Sequence, residues 1–159
     1  MAAPRGLPIR YRLFWAQPWR ESAKRSSGFR KWLDANGYLS PNYTIREAAS
    51  KDGVRLPGLL RKRARDHAFN LEKLARRLGV KKIPVLSWYR SAARNAAVGG
   101  ARDSRHMRGD ATDHTREWVA RVGRARLLKH AEAIFKNGGL GKYSSGSVHF
   151  DSRGKRARW

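Results

Sequence analysis

The chain has 159 residues, no cysteine, and 36 lysines and arginines against 12 acidic residues, a formal net charge of +24. That length fits one domain able to bury roughly 70% of its unfolded surface, while the lack of cysteine excludes disulfides and thiolate metal fingers and leaves any metal to His, Asp or Glu. With 40% hydrophobic residues and six tryptophans the chain reads as folded, no apolar run of about 18 residues is present to span a membrane, and the charge predicts attraction to nucleic acid, anionic membrane or anionic wall polymers.

Residues 1–30 alternate basic residues with Phe14, Trp15, Trp19 and Phe29, and Pro4, Pro8 and Pro18 argue against one long helix. They are expected to form an irregular basic arm with a short helix from about Arg20 to Lys24, its tryptophans either anchored on the domain or stacked on a partner such as nucleic acid. The opening stretch lacks the unbroken apolar segment of a secretory signal. Residues 31–159 form the predicted domain. A helix from Arg30 to Asn36 ends at Gly37; Thr44 and Glu47 carry a capping box that predicts a brief helix to Ser50; Lys51-Asp52-Gly53 is a turn; and Pro57 suits the first position of the next helix.

In that next helix Leu60, Ala64, His67, Ala68, Leu71, Leu74, Ala75 and Leu78 recur at three- and four-residue steps and make one apolar stripe. Arg61, Lys62, Arg65, Glu72, Arg76 and Arg77 are expected on the solvent face. His67, on the stripe, reads as a packed core histidine. Lys82 to Ser87 is predicted as a short strand, Ser91 to Ala97 as a short helix, and Arg116 to Lys136 as one long helix stopped by Asn137-Gly138-Gly139. Gly123 within it has no reason visible in the sequence. Leu140 to Asp151 reads as two strands about a Ser-Gly turn, and strand alternation puts His149 and Asp151 on one face with Val148 and Phe150 on the other. Irregularly ordered helices and strands predict an α+β fold, a small, largely antiparallel sheet packed with helices and a metal site at the sheet.

His106, Asp113 and His149 are the residues that can meet around one ion. Two imidazoles and a carboxylate fill three positions of a tetrahedral zinc and leave the fourth to water, whose pKa the metal lowers to near 7. Around them, Ser87-Trp88-Tyr89-Arg90-Ser91, Asn95, Val98-Gly99-Gly100-Ala101 and Ser104-x-His106-x-x-Gly109-x-Ala111-x-Asp113 closely resemble the central signature of the zinc D-alanyl-D-alanine carboxypeptidase and L-alanyl-D-glutamate endopeptidase family. The tail, Gly139 to Tyr143, Val148-His149-x-Asp151 and Arg153 to Trp159, is similar to the closing segment of bacteriophage and actinobacterial members. Asn42 to Thr44, Glu47 to Ser50 and Lys51 to Gly53 are similar to an upstream helix of the phage forms. The resemblance spans about residues 38–159 and leaves the basic arm unmatched.

The resemblance implies a zinc peptidase that cuts bacterial peptidoglycan beside a D-amino acid. Carried over by position, His106, Asp113 and His149 are the metal ligands, Arg90 clamps a substrate carboxylate or a developing oxyanion, and Ser104 and Tyr89 sit at the substrate. The acidic residue or histidine that many members place three or two positions before the last histidine ligand is here Gly146 or Ser147. Asp151 is the first substitute as proton carrier, with Asp110 and His114 behind it, and its alternative role is to orient a ligand or pair with Arg153. An endolysin-like enzyme without a signal would leave the host cytoplasm at lysis or travel with the virion, and its charge would hold it on wall polymers. The alternative is a virion or structural protein on the same fold, binding nucleic acid or neighbouring subunits through its basic surface.

Overall fold

The computed structural model describes residues 2–159. Residues 12–35 form three short helices, α1 (Arg12–Ala16), α2 (Glu21–Arg25) and α3 (Ser27–Ala35), in place of an irregular arm. Ser26 starts α3, its hydroxyl accepting from Phe29 N at 3.2 Å, as a capping side chain does for an exposed helix N–H. The reason for the order is apolar: Leu7, Tyr11, Trp15, Ala23, Phe29 and Leu33 bury together and close on Phe69 of α4 (Arg61–Leu78). Trp15 packs edge-on to Trp32 and Tyr38, and Trp19 lies under the Arg76 guanidinium at 5.2 Å.

α4 is therefore buried on two sides, not one. Its expected stripe enters the main core with Phe135, Val148 and Phe150, while Arg65 and Glu72, predicted on the solvent face, are buried beneath the N-terminal segment. Arg65 pairs with Asp34, and Glu72 accepts from Ser40 Oγ at 2.7 Å and from Asn42 N and Nδ2 at 3.0 and 2.8 Å. Such partners are what a buried charge requires.

Strands β1 (Tyr38–Ser40) and β2 (Tyr43–Thr44) form a small hairpin. The capping box at Thr44 closes, with Glu47 N donating to Thr44 Oγ1 and Thr44 N to the Glu47 carboxylate, yet only a turn follows. The Ala48 carbonyl accepts from Tyr89 N instead of continuing a helix. Lys82 to Ser87 is likewise extended without forming a strand; its ladder contact among the described residues is a bridge between Ser87 and Asp113, because the strand it faces ends one residue later, at His114. After α5 (Ala92–Ala97), a four-stranded sheet runs in the order β3 (Ala111–His114), β5 (Val148–Asp151), β4 (Gly139–Lys142), β6 (Ala157–Arg158). The first three pair antiparallel, and β6 lies parallel to β4.

The long helix expected at 116–136 is two: α6 (Arg116–Val122) and α7 (Arg124–Ile134), broken at Gly123 with φ +89° and ψ 109°. That backbone conformation is open to glycine and strained for other residues, which accounts for Gly123. Behind the sheet, a hydrogen-bonded chain ties α4 to β3 and to the end of β5. His114 Nδ1 lies 2.7 Å from Pro84 O, its Nε2 2.9 Å from Thr112 Oγ1, which lies 2.9 Å from His67 Nε2, and His67 Nδ1 lies 2.8 Å from Ser152 Oγ. His67 is a core histidine, as its place on the apolar stripe implies. No described helix is long and apolar enough to cross a membrane.

Two measurements check this account. Gly123→Ala should cost about 1–3 kcal/mol in chemical denaturation. Burial holds His114 neutral, its pKa lowered to about 4, and lowers that of His67 as well. Between pH 6.5 and about 4 the unfolded chain takes up a proton at His114 that the folded chain refuses, so stability falls on acidification by about 3 kcal/mol from this group. The urea midpoint of chelator-treated protein should drop across that window; a midpoint that rises would contradict it.

Candidate metal centre and substrate cleft

Antiparallel pairing of β3 with β5 sets Asp113 directly opposite His149 and Ala111 opposite Asp151. Since successive residues alternate faces, Asp113, His149 and Asp151 share one face of the sheet. His106 comes from a 3-10 turn, Arg105–Arg108, that precedes β3. Trp88 holds this turn twice: its indole Nε1 donates to Gly109 O at 2.8 Å, and its carbonyl accepts from His106 Nδ1 at 2.5 Å. His106, Asp113 and His149 are all buried, with one potential ligand atom of each lying within 4.8 Å of the others.

The protonation states follow from the partners. A His106 Nδ1 that faces a carbonyl carries the hydrogen, which leaves a lone pair on Nε2. That atom is buried and makes no hydrogen bond, although Asp113 Oδ2 lies 3.2 Å away. His149 Nε2 lies 3.0 Å from Asp151 Oδ2 and Nδ1 lies 3.0 Å from Asp113 Oδ1. With Nε2–H donating to Asp151, Nδ1 also presents a lone pair. Two imidazole lone pairs and a carboxylate thus converge, an arrangement that needs a cation among them. Burial opposes the charge on Asp113, but the imidazoles beside it outweigh burial and hold its carboxyl well below the usual range. His149 shows the same balance in reverse, its pKa raised by Asp113 and Asp151 against burial. A metal entering here must displace that proton, so its affinity falls as pH falls.

The donor set suits zinc. Two imidazole nitrogens and one carboxylate oxygen, all within 4.8 Å of one another, are the donors a tetrahedral zinc takes where no thiolate is present. A cleft of about 700 Å³ opens over the three residues, with Arg90, Ser104, Tyr143, Arg153 and Trp159 among its walls. This is where the chain belongs among known proteins. The family model for Peptidase M15 matches residues 41–151, well over half the chain. The chain belongs to the M15 peptidase family. A search of curated proteins finds no match.

Within this peptidase domain the other expected site residues separate. Arg90 lines the cleft, its Nε 3.3 Å from Ser87 Oγ and its Nη2 on Asp113. Ser104 lines it too, half-buried at the start of the 3-10 turn. Tyr89 does not: its ring belongs to the main core. None of the three expected proton carriers reaches the ligand atoms from the cleft. Asp110 is buried and bound by Arg105, and His114 is turned into the core. Asp151 is fully buried on the far edge of the His149 ring. Its oxygens accept from His149 Nε2, Gly139 N, and Arg153 N, Nε and Nη2. These contacts place Asp151 against the Nε2 edge of His149 and pair it with Arg153, the arrangement expected of a carboxylate that orients a ligand.

Two glycines make room for this. A Cβ on Gly139 would overlap the Asp151 carboxylate, and one on Gly141 would overlap the Trp159 indole. The sequence assigns no role to Tyr143 or Trp159, and to Arg153 only that of pairing with Asp151. Trp159 is 46% and Tyr143 38% exposed, so both are open to a ligand. Their only sequence signal is the resemblance of the tail.

Asp151→Asn should lower zinc affinity by about 10–100-fold, measured by competition with a chelator, and activity should return at saturating zinc. A variant that keeps its zinc and loses turnover would restore Asp151 as the proton carrier.

Proposed function

We propose that the chain is a zinc-dependent peptidase that hydrolyses peptide bonds beside D-amino acids in bacterial peptidoglycan, as an endolysin-like or virion-associated wall enzyme. The observation that carries this reading is the convergence of the His106, Asp113 and His149 lone pairs under an open cleft, in a chain of the M15 peptidase family. Zinc held by these residues would supply a Lewis acid for the scissile carbonyl and lower the pKa of a bound water.

The chain's own groups do the rest. Trp88 and Asp151 fix which imidazole nitrogen of His106 and His149 faces the ion. Arg90, braced by Asp113 and Ser87, keeps Nη1 free for a substrate carboxylate or the oxyanion that forms as the carbonyl is attacked. Ser104 offers a hydroxyl on the same wall. The net charge of +24 favours anionic wall polymers as the surface on which the enzyme works.

A second reading draws on the three expected proton carriers, all turned away from the cleft: a virion or structural protein on this fold with weak or lost catalysis, binding nucleic acid through its basic surface. One experiment separates the two. Defined peptidoglycan is digested with wild type, His149→Ala and chelator-treated protein, and products are identified by mass. Fragments ending at a D-amino acid bond from wild type alone support the peptidase. Zinc-loaded protein that releases nothing, yet binds nucleic acid with a steep salt dependence, supports the second reading.

A further inference from the structure

Three arginines line the cleft, and the company each keeps sets them apart. Arg105 places Nε 3.0 Å from Asp110 Oδ1 and Nη2 on Oδ2, so its charge is matched one to one by a buried carboxylate. Arg90 is committed to Asp113 and Ser87. Arg153 places Nε 2.8 Å and Nη2 2.6 Å from the two oxygens of Asp151. Asp151, however, divides its single charge between Arg153 and His149.

Arg153 is also held from a second direction. Its guanidinium lies 5.2 Å from the Trp159 ring, and that ring lies 5.2 Å from His149. A planar fork fixed by a bidentate carboxylate and an indole face has given up most of its side-chain freedom before any ligand arrives. Nη1 makes no hydrogen bond among the described residues, and the side chain is 22% exposed. Asp103, exposed on the rim, is near enough to strengthen the Arg153 charge but makes no hydrogen bond to it.

The contacts run in series: Arg90 to Asp113, Asp113 to His149, His149 to Asp151, Asp151 to Arg153. The two arginines stand at opposite ends of this row, with the candidate metal centre between them. Both arginines line the cleft that opens over His106, Asp113 and His149. We infer that Arg153 is a second carboxylate-binding residue, across the metal centre from Arg90, and that the preferred substrate is a peptide with one carboxylate on each side of the scissile bond. The assignment rests on the peptidase reading above and narrows its substrate class. A charge-assisted hydrogen bond to a preset guanidinium is the kind that discriminates an acid from its amide.

The test uses four forms of one D-amino-acid peptide: both carboxylates free, either one converted to the primary amide, and both amidated. Tryptophan fluorescence of the zinc-loaded chain reads Kd for each, and product mass reads kcat/KM. In wild type, amidating either carboxylate should weaken binding about 10-fold or more. Arg153→Gln should erase the sensitivity to one carboxylate and keep the other, Arg90→Gln should do the converse, and Arg153→Lys, which keeps the charge, should retain part of it. If Arg153 only braces Asp151, the Gln variant weakens all four forms alike and the assignment fails. It fails equally if wild type binds acid and amide with one Kd. Discrimination in Kd without cleavage of any form would uphold Arg153 and overturn the peptidase; cleavage without discrimination would do the reverse.

Discussion

The site depends on one pairing, Asp113 on β3 directly across from His149 on β5. In antiparallel strands a slip of one residue moves every side chain to the opposite face, and either side chain would then enter the core that holds Thr112 and Phe150. The register is held from behind by the His114, Thr112, His67 and Ser152 chain and by Phe150 stacked on Phe135. The buried face of the sheet thus decides what the other face presents.

On the cleft side of the sheet the charges are arranged so that neither carboxylate is matched by a single neighbour. Asp113 is shared by Arg90, His106 and His149, and Asp151 by His149 and Arg153. Closely packed ionic groups of this kind carry a desolvation cost that only good geometry and further hydrogen bonds offset. Here the offset comes from backbone N–H groups of Gly139 and Arg153, from the Trp88 carbonyl, and from glycines that let Asp151 and Trp159 approach β4. Without a metal, a proton on His149 is the natural occupant of the gap between Nδ1 and Asp113, which couples metal binding to pH.

The N-terminal segment extends the same logic of shared burial. Its aromatic residues cover a side of α4 that would otherwise expose Phe69, and they bring Glu72 and Arg65 into partly dry surroundings where each finds a partner. Many of the chain's basic residues stay outside these contacts and are exposed, including Arg12, Arg20, Lys31, Lys62 and Arg63. They concern what the molecule approaches more than how it folds.

The sequence by itself picked out His106, Asp113 and His149 as residues able to meet, and it determined the α+β class and the chief helix, because a period of two in Val148 to Asp151 and a period near 3.6 in Leu60 to Leu78 are local signals that survive without tertiary context. It also carried the family signature. Tertiary structure decided the rest. Which edge of the His149 imidazole Asp151 meets was visible only once both side chains were placed. Whether 82–87 is a strand depends on how many partners β3 leaves it, and whether Arg65 and Glu72 are buried with partners depends on Asp34, Ser40 and Asn42 folding over them. Gly123 could be understood only once α6 and α7 were seen to part at its backbone. Local pattern records what a segment can bury; which partner it meets is settled by chain segments far away in sequence.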